Sequence, residues 1–129
     1  AGVDVSKDWL DIHVLPQGAT LRVGNDPQGI ARLKRWLSRF DVALVAVEAT
    51  GKWHRALCRS LHAGGRPVAV VDPFRVRMFA KAQGILAKTD RLDARVLAAF
   101  AAVMTPPARP PAGAAMDELK ELVGARDAA

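Results

Sequence analysis

Short apolar runs broken by turn residues open the chain. Gly2-Val3-Asp4-Val5 reads as a strand and Ser6-Lys7-Asp8 as a turn. Leu10, Ile12 and Val14 alternate with Asp11 and His13, the period-two mark of a half-buried strand. Pro16-Gln17-Gly18 makes a second turn, and residues 20–23 a third strand. Together these segments predict an antiparallel meander. Asn25-Asp26-Pro27 then supplies a polar cap followed by proline in a first helical turn. Ile30, Leu33, Leu37 and Phe40 follow at helical spacing. Residues 42–47 form a continuous apolar run, which suits a strand buried on both faces. Residues 52–63 read as a helix with Trp53, Leu57 and Leu61 on one stripe and Gly64-Gly65 as its stop. Residues 67–71 predict another buried strand. Residues 73–82 predict a helix on which Phe74 and Met78 share a face, and residues 84–88 break it. Residues 90–104 predict a long helix. The order βββ-α-β-α-β-α is solved by a mixed five-stranded sheet flanked by helices, an α/β architecture of the RNase H-like kind.

After this pattern, Pro106, Pro107, Pro110 and Pro111 make residues 106–114 a stiff linker. Residues 115–125 form an amphipathic helix too short to stand alone in water, the start of a truncated helical segment over 115–129. The chain has 129 residues, half of them apolar. That length buries roughly two-thirds of the unfolded surface, which excludes a disordered tail. The lone Cys58 excludes an internal disulfide and a cysteine zinc cluster. The longest apolar run, residues 96–104, falls short of the ~18 residues of a membrane span, and no signal peptide opens the sequence. The expectation is a cytoplasmic protein with no membrane partner.

The net charge of +6 is unevenly spread. Residues 1–50 are neutral overall, residues 51–100 carry +7 and residues 101–129 carry −1. Arg55 and Arg59, Arg77 and Lys81, and Arg91 and Arg95 are like-charge pairs four residues apart, each unfavourable on an isolated helix. Lys52, Arg75 and Lys88 extend the same basic surface. A polyanion would relieve the repulsion, and contacts to a phosphate backbone set affinity rather than sequence choice. A solvated basic face is the plainer reading of the same pattern. Trp9, Trp36 and Trp53 are read as core residues rather than base-stacking platforms.

Four carboxylates carry the candidate chemistry. Asp4 lies mid-strand, where a charge is expensive without a partner. Glu48 ends the apolar strand at 42–47. Asp90 and Asp93 open the last helix three residues apart and so share a face. If the first strand pairs in parallel with residues 42–47, Asp4 and Glu48 become neighbours. Clustered carboxylates persist where a divalent cation neutralises them. Hard oxygen ligands fit Mg²⁺ or Mn²⁺ better than zinc, and two such ions can serve phosphoryl transfer. The plainer alternative makes Asp90 a helix-terminus charge with Thr89 as cap, and Glu48 a turn residue.

Several strings taken in order resemble one family. They are Gly2-Val3-Asp4-Val5-Ser6-Lys7 with Leu10-Asp11, Glu48-Ala49-Thr50-Gly51, Phe79-Ala80-Lys81-Ala82 and Lys88-Thr89-Asp90-Arg91-Leu92-Asp93-Ala94. The match is to the DEDD transposases of bacterial insertion sequences, over about residues 2–105. The resemblance implies a RuvC-like catalytic domain over residues 1–105, with the D-E-D-D set on Asp4, Glu48, Asp90 and Asp93. It implies Mg²⁺-dependent DNA cleavage and rejoining by oligomers that work with a structured non-coding guide RNA. Family members also carry a C-terminal domain with a nucleophilic serine, which Ser6, Ser38 and Ser60 do not match. Trp53 stands where the family often has tyrosine. The competing readings are a stand-alone nuclease of the junction-resolvase type, a non-catalytic nucleic-acid module, and an actin-like ATP-binding domain. The last lacks glycine-rich phosphate loops.

Overall fold

Val3, Val5, Leu10, Ile12 and Val14 lie on one side of two strands, and that side is buried. The computed structural model describes residues 1–49, 51–85 and 92–110. The strands are β1 (Gly2–Val5) and β2 (Trp9–Val14), paired antiparallel. β3 (Ala19–Gly24) pairs antiparallel with β2 and completes the expected meander. Helix α1 (Pro27–Leu37) crosses to β4 (Val45–Glu48), which runs parallel to β1. Helix α2 (Arg55–Ala63) crosses to β5 (Val68–Val71), parallel to β4. Helices α3 (Pro73–Ala82) and α4 (Ala94–Met104) follow. The strand order is β3-β2-β1-β4-β5.

Two apolar layers sandwich this sheet. On one face Ile30, Leu33 and Leu37 of α1 and Leu57, Cys58 and Leu61 of α2 pack on the valines of β1 and β4. On the other, Val76, Phe79 and Ala80 of α3 meet Val96, Leu97 and Phe100 of α4 over Ala46, Ala69 and Val71. The rings of Phe79 and Phe100 meet edge to face, 5.5 Å between centroids. The mixed five-stranded sheet flanked by four helices is the RNase H-like arrangement that the element order predicts.

The differences from expectation have local causes. The apolar run at 42–47 becomes a strand only from Val45, where β5 and then β1 supply partners. Helix α1 stops at Leu37 with Ser38 as its C-cap. Phe40 mimics the helical spacing because its ring packs on Trp36, 4.8 Å between centroids. Helix α2 begins at Arg55, not residue 52, because residues 51–54 form a turn in which Gly51 takes a positive φ of 60°. Trp53 therefore leaves the buried stripe and is exposed. β5 is an edge strand, so Val70 is exposed and the segment is not buried on both faces. On α3, Phe74 and Met78 do share a face, but it is the solvent face. Helix α4 starts at Ala94 rather than residue 90.

Beyond α4, residues 106–110 run without regular structure, and the Arg109 N–H donates to the Val68 carbonyl of β5 (3.1 Å). The helix expected at 115–125 lies outside the described residues.

Asp26 is the N-cap of α1, its Oδ1 accepting from the Gly29 N–H at 2.7 Å, with proline in the first turn. Loss of that cap by Asp26→Ala is expected to cost about 1 kcal/mol. A thermal melt should fall by roughly 3–5 °C; an unchanged melt would show that the cap contributes nothing here.

Candidate functional site

The carboxyl ends of β1 and β4 carry the first two candidate acids. Their parallel register sets Gly2 beside Ala46 and Val3 beside Val47; one step further along, Asp4 stands beside Glu48. Val3 and Val5 point into the α1–α2 layer, so by alternation Asp4 faces the side covered by α4. Both carboxylates are half-buried at the rim of that layer. Ligands in open α/β sheets gather at such carboxyl ends, next to a change in strand order. The parallel pairing that brings these two acids together is thus present.

Asp4 also has a neighbour that the sequence pattern does not reveal. It sits opposite Asp11 on β2, and Asp11 sits opposite Arg22 on β3. Arg22 grips Asp11 with Nε and a terminal nitrogen at 2.8 and 3.1 Å. The guanidinium is held above its usual pKa by the hydrogen bond to Asp11, by Asp11's charge and, more weakly, by the charge of Asp4. Arg22 is eighteen positions from Asp4 and reaches it only because two hairpins fold the strands together.

The third acid stands at the start of helix α4, which packs on β1. A Cβ at Gly2 would collide with the Ala98 nitrogen and the Ala94 carbonyl oxygen, and would come within 2.7 Å of the Leu97 Cβ. Only glycine lets the helix lie this close to β1. Asp93 is the N-cap of this helix, its Oδ1 accepting from the Val96 N–H at 3.0 Å. It therefore precedes the helix rather than lying within it. Asp90 lies outside the described residues, as do Lys88 and Arg91. Among the described residues, no three or more His, Cys, Asp or Glu side chains are grouped to hold a metal ion. Asp4 and Glu48 form a two-carboxylate pair of hard oxygens, a donor set suited to Mg²⁺ or Mn²⁺.

The basic residues gather elsewhere. A cleft of about 760 Å³ opens at the β5 edge. Arg55 and Arg59 of α2 line it, with Arg75 of α3, Arg109 of the proline segment, and His54 and Asp72. Asp72 caps α3, accepting from the Phe74 N–H at 3.1 Å. Arg77 and Lys81 of α3 and Arg95 of α4 are not among the residues lining the cleft. Lys52 stands in the turn before α2. Arg109 escapes a reading of the sequence because it looks like part of a stiff linker; its only signal is a cation set among prolines.

A transposase family model of the DEDD type matches the chain over residues 1–129. The chain belongs to the DEDD transposase family. It is also 30% identical over 114 residues to the pilin gene-inverting proteins of Moraxella lacunata and Moraxella bovis. Those matches cover 82% of this chain and 35% of each relative. The chain thus spans about a third of the length of the curated relatives it matches.

Within this DEDD transposase chain, two other side chains near the cleft are defined by burial. Cys58 is buried, and burial raises its thiol pKa to about 11. Its side chain packs in the core beside Leu57 and Leu61 as a small apolar residue. His54 is pushed below its ordinary pKa by burial and by the neighbouring Arg55 charge. No helix among the described residues is long and apolar enough to cross a membrane.

Proposed function

We propose that this chain is the metal-dependent catalytic part of a DNA recombinase, cutting and rejoining strands during transposition. The observation that carries the reading is the placement of Asp4 and Glu48 on adjacent parallel strands, in a chain of the DEDD transposase family. Asp4, Glu48, Asp90 and Asp93 would hold Mg²⁺ or Mn²⁺. Such an ion supplies charge stabilisation to a transferring phosphoryl group and lowers the pKa of bound water. Residues 1–105 would form the catalytic domain, with 106–114 as a linker to a further helical segment. The full-length protein would act in the cytoplasm as a homo-oligomer, directed by a structured guide RNA.

Lys52, Arg55, Arg59, Arg75, Arg77, Lys81, Lys88, Arg91 and Arg95 would bind nucleic-acid phosphates. The cleft supports this for Arg55, Arg59 and Arg75, which converge from two helices. Replacing these three together by glutamine should flatten the salt dependence of duplex binding. The slope of log K against log salt should fall by about 0.9 for every phosphate that is no longer neutralised. An unchanged slope removes the cleft from the interface.

A second reading, a binding module without chemistry, draws on Asp93, whose carboxylate caps α4. Calorimetric titration of the chain with Mn²⁺ separates the two. Binding that is indifferent to both Asp4→Asn and Glu48→Gln leaves only the module.

A further inference from the structure

Two tryptophans expected in the core stand in the open. Trp9 is 48% and Trp53 39% exposed. Trp53 is the more informative, because its backbone is fixed beside the carboxylate pair. The Asn25 side-chain amide donates to the Trp53 carbonyl (2.9 Å) and to the Ser6 carbonyl (2.8 Å). This clamp ties the turn after β4 to the turn after β1. Ser6 is two residues beyond Asp4, and Trp53 is five beyond Glu48. The Trp53 backbone is thus held at the same sheet end as both acids.

Charge collects around this ring. The Lys52 ammonium lies 4.9 Å from the ring centroid and that of Lys7 6.0 Å. An exposed aromatic face flanked by long-stemmed cations matches one ligand chemistry in particular. A nucleobase stacks on the ring, while the ammonium groups move to the phosphates on either side. A paired base inside a duplex offers no such face. We infer that Trp53, with Lys7 and Lys52, is a stacking platform for one unpaired nucleotide. It would hold a single strand at the carboxyl ends of β1 and β4. Trp53 acts here as a positioning residue, since it guides the strand and takes no part in bond breaking.

The inference rests on reading this sheet end as a nucleic-acid site, and the two can fail separately. Asp4→Asn bears on metal binding, whereas the stacking test needs no metal. The intact chain is titrated, without divalent ions, with oligothymidylate and oligouridylate of about twelve nucleotides and with a duplex of the same length. Tryptophan fluorescence and the anisotropy of a labelled strand are followed. Single strands should quench the fluorescence and the duplex should not. Trp53→Phe should abolish most of the quench while keeping affinity within about twofold, because a phenyl ring still stacks. Trp53→Ala should weaken single-strand binding about tenfold. Lys7→Gln and Lys52→Gln should each lower the single-strand salt slope by roughly 0.7. Tighter binding of one oligomer tells whether a DNA or an RNA strand supplies the nucleotide. Equal quenching by the duplex, or undiminished single-strand affinity in Trp53→Ala, overturns the inference.

Discussion

Asp4→Asn should abolish Mn²⁺ binding to the chain while leaving it folded. The substitution keeps the shape of the side chain and removes one charged oxygen donor from the Asp4–Glu48 pair. Losing a group that merely orients a metal ligand already costs 10–100-fold in affinity, so loss of a ligand itself should cost at least about a hundredfold. On the proposed function, DNA cleavage by the full-length protein should fall at least as far. Stability should move the other way from function, or hardly at all. Two adjacent carboxylates repel one another, and the asparagine ends that repulsion, although Arg22 loses a weak electrostatic partner. The expected change in unfolding free energy is within about 1 kcal/mol, the ordinary range for substitutions that create no cavity or buried unpaired charge. Calorimetry with Mn²⁺ beside a urea melt reads both quantities. Identical metal affinity in the variant would defeat the catalytic reading, and a large loss of stability would make Asp4 a structural residue.

Gly2→Ala should damage both the fold and the site. The added methyl points into the backbone of α4 at Ala94 and Ala98, and neither atom belongs to a flexible side chain that could step aside. Overpacking of this kind typically costs 1–3 kcal/mol, and the upper end, about 3 kcal/mol, applies where backbone meets backbone. The corresponding fall in melting temperature is on the order of 10 °C. The helix must shift away from β1, carrying its cap Asp93 with it. With Asp93 in the proposed metal site, cleavage by the full-length protein should fall even at temperatures where the variant remains folded. A melt within about 1 °C of the unmodified chain would show that α4 is not seated on β1 as described.

The sheet is legible in the sequence because its signals are local. The alternation of Leu10, Ile12 and Val14 and the apolar run ending in Val45-Ala46-Val47 need no distant partner to be read, whereas the β1–β4 pairing, conditional in the sequence, is present in the fold. The start of α4 is not legible, because Thr89, Asp90 and Asp93 all suit a helix N-terminus. Which one caps the helix depends on where Gly2 allows the helix to dock. Trp53 misleads for a related reason. Its spacing with Leu57 and Leu61 is helical, but the positive φ of Gly51 and the Asn25 clamp hold residues 51–54 in a turn. Arg22 leaves no sequence signal and Arg109 only that of a cation set among prolines, because each reaches its neighbours through tertiary pairing, across the meander in one case and along β5 in the other.

That pairing along β5 limits how copies of this molecule can meet. The lip of the sheet is occupied by a segment with prolines at 106, 107 and 110, which have no N–H to give, and its Arg109 N–H is already engaged by Val68. A second β5 border meets this cover first, which disfavours joining two molecules into one continuous ribbon. The β5 side of the sheet is in this way guarded against runaway strand addition, while β3 forms the sheet's other edge.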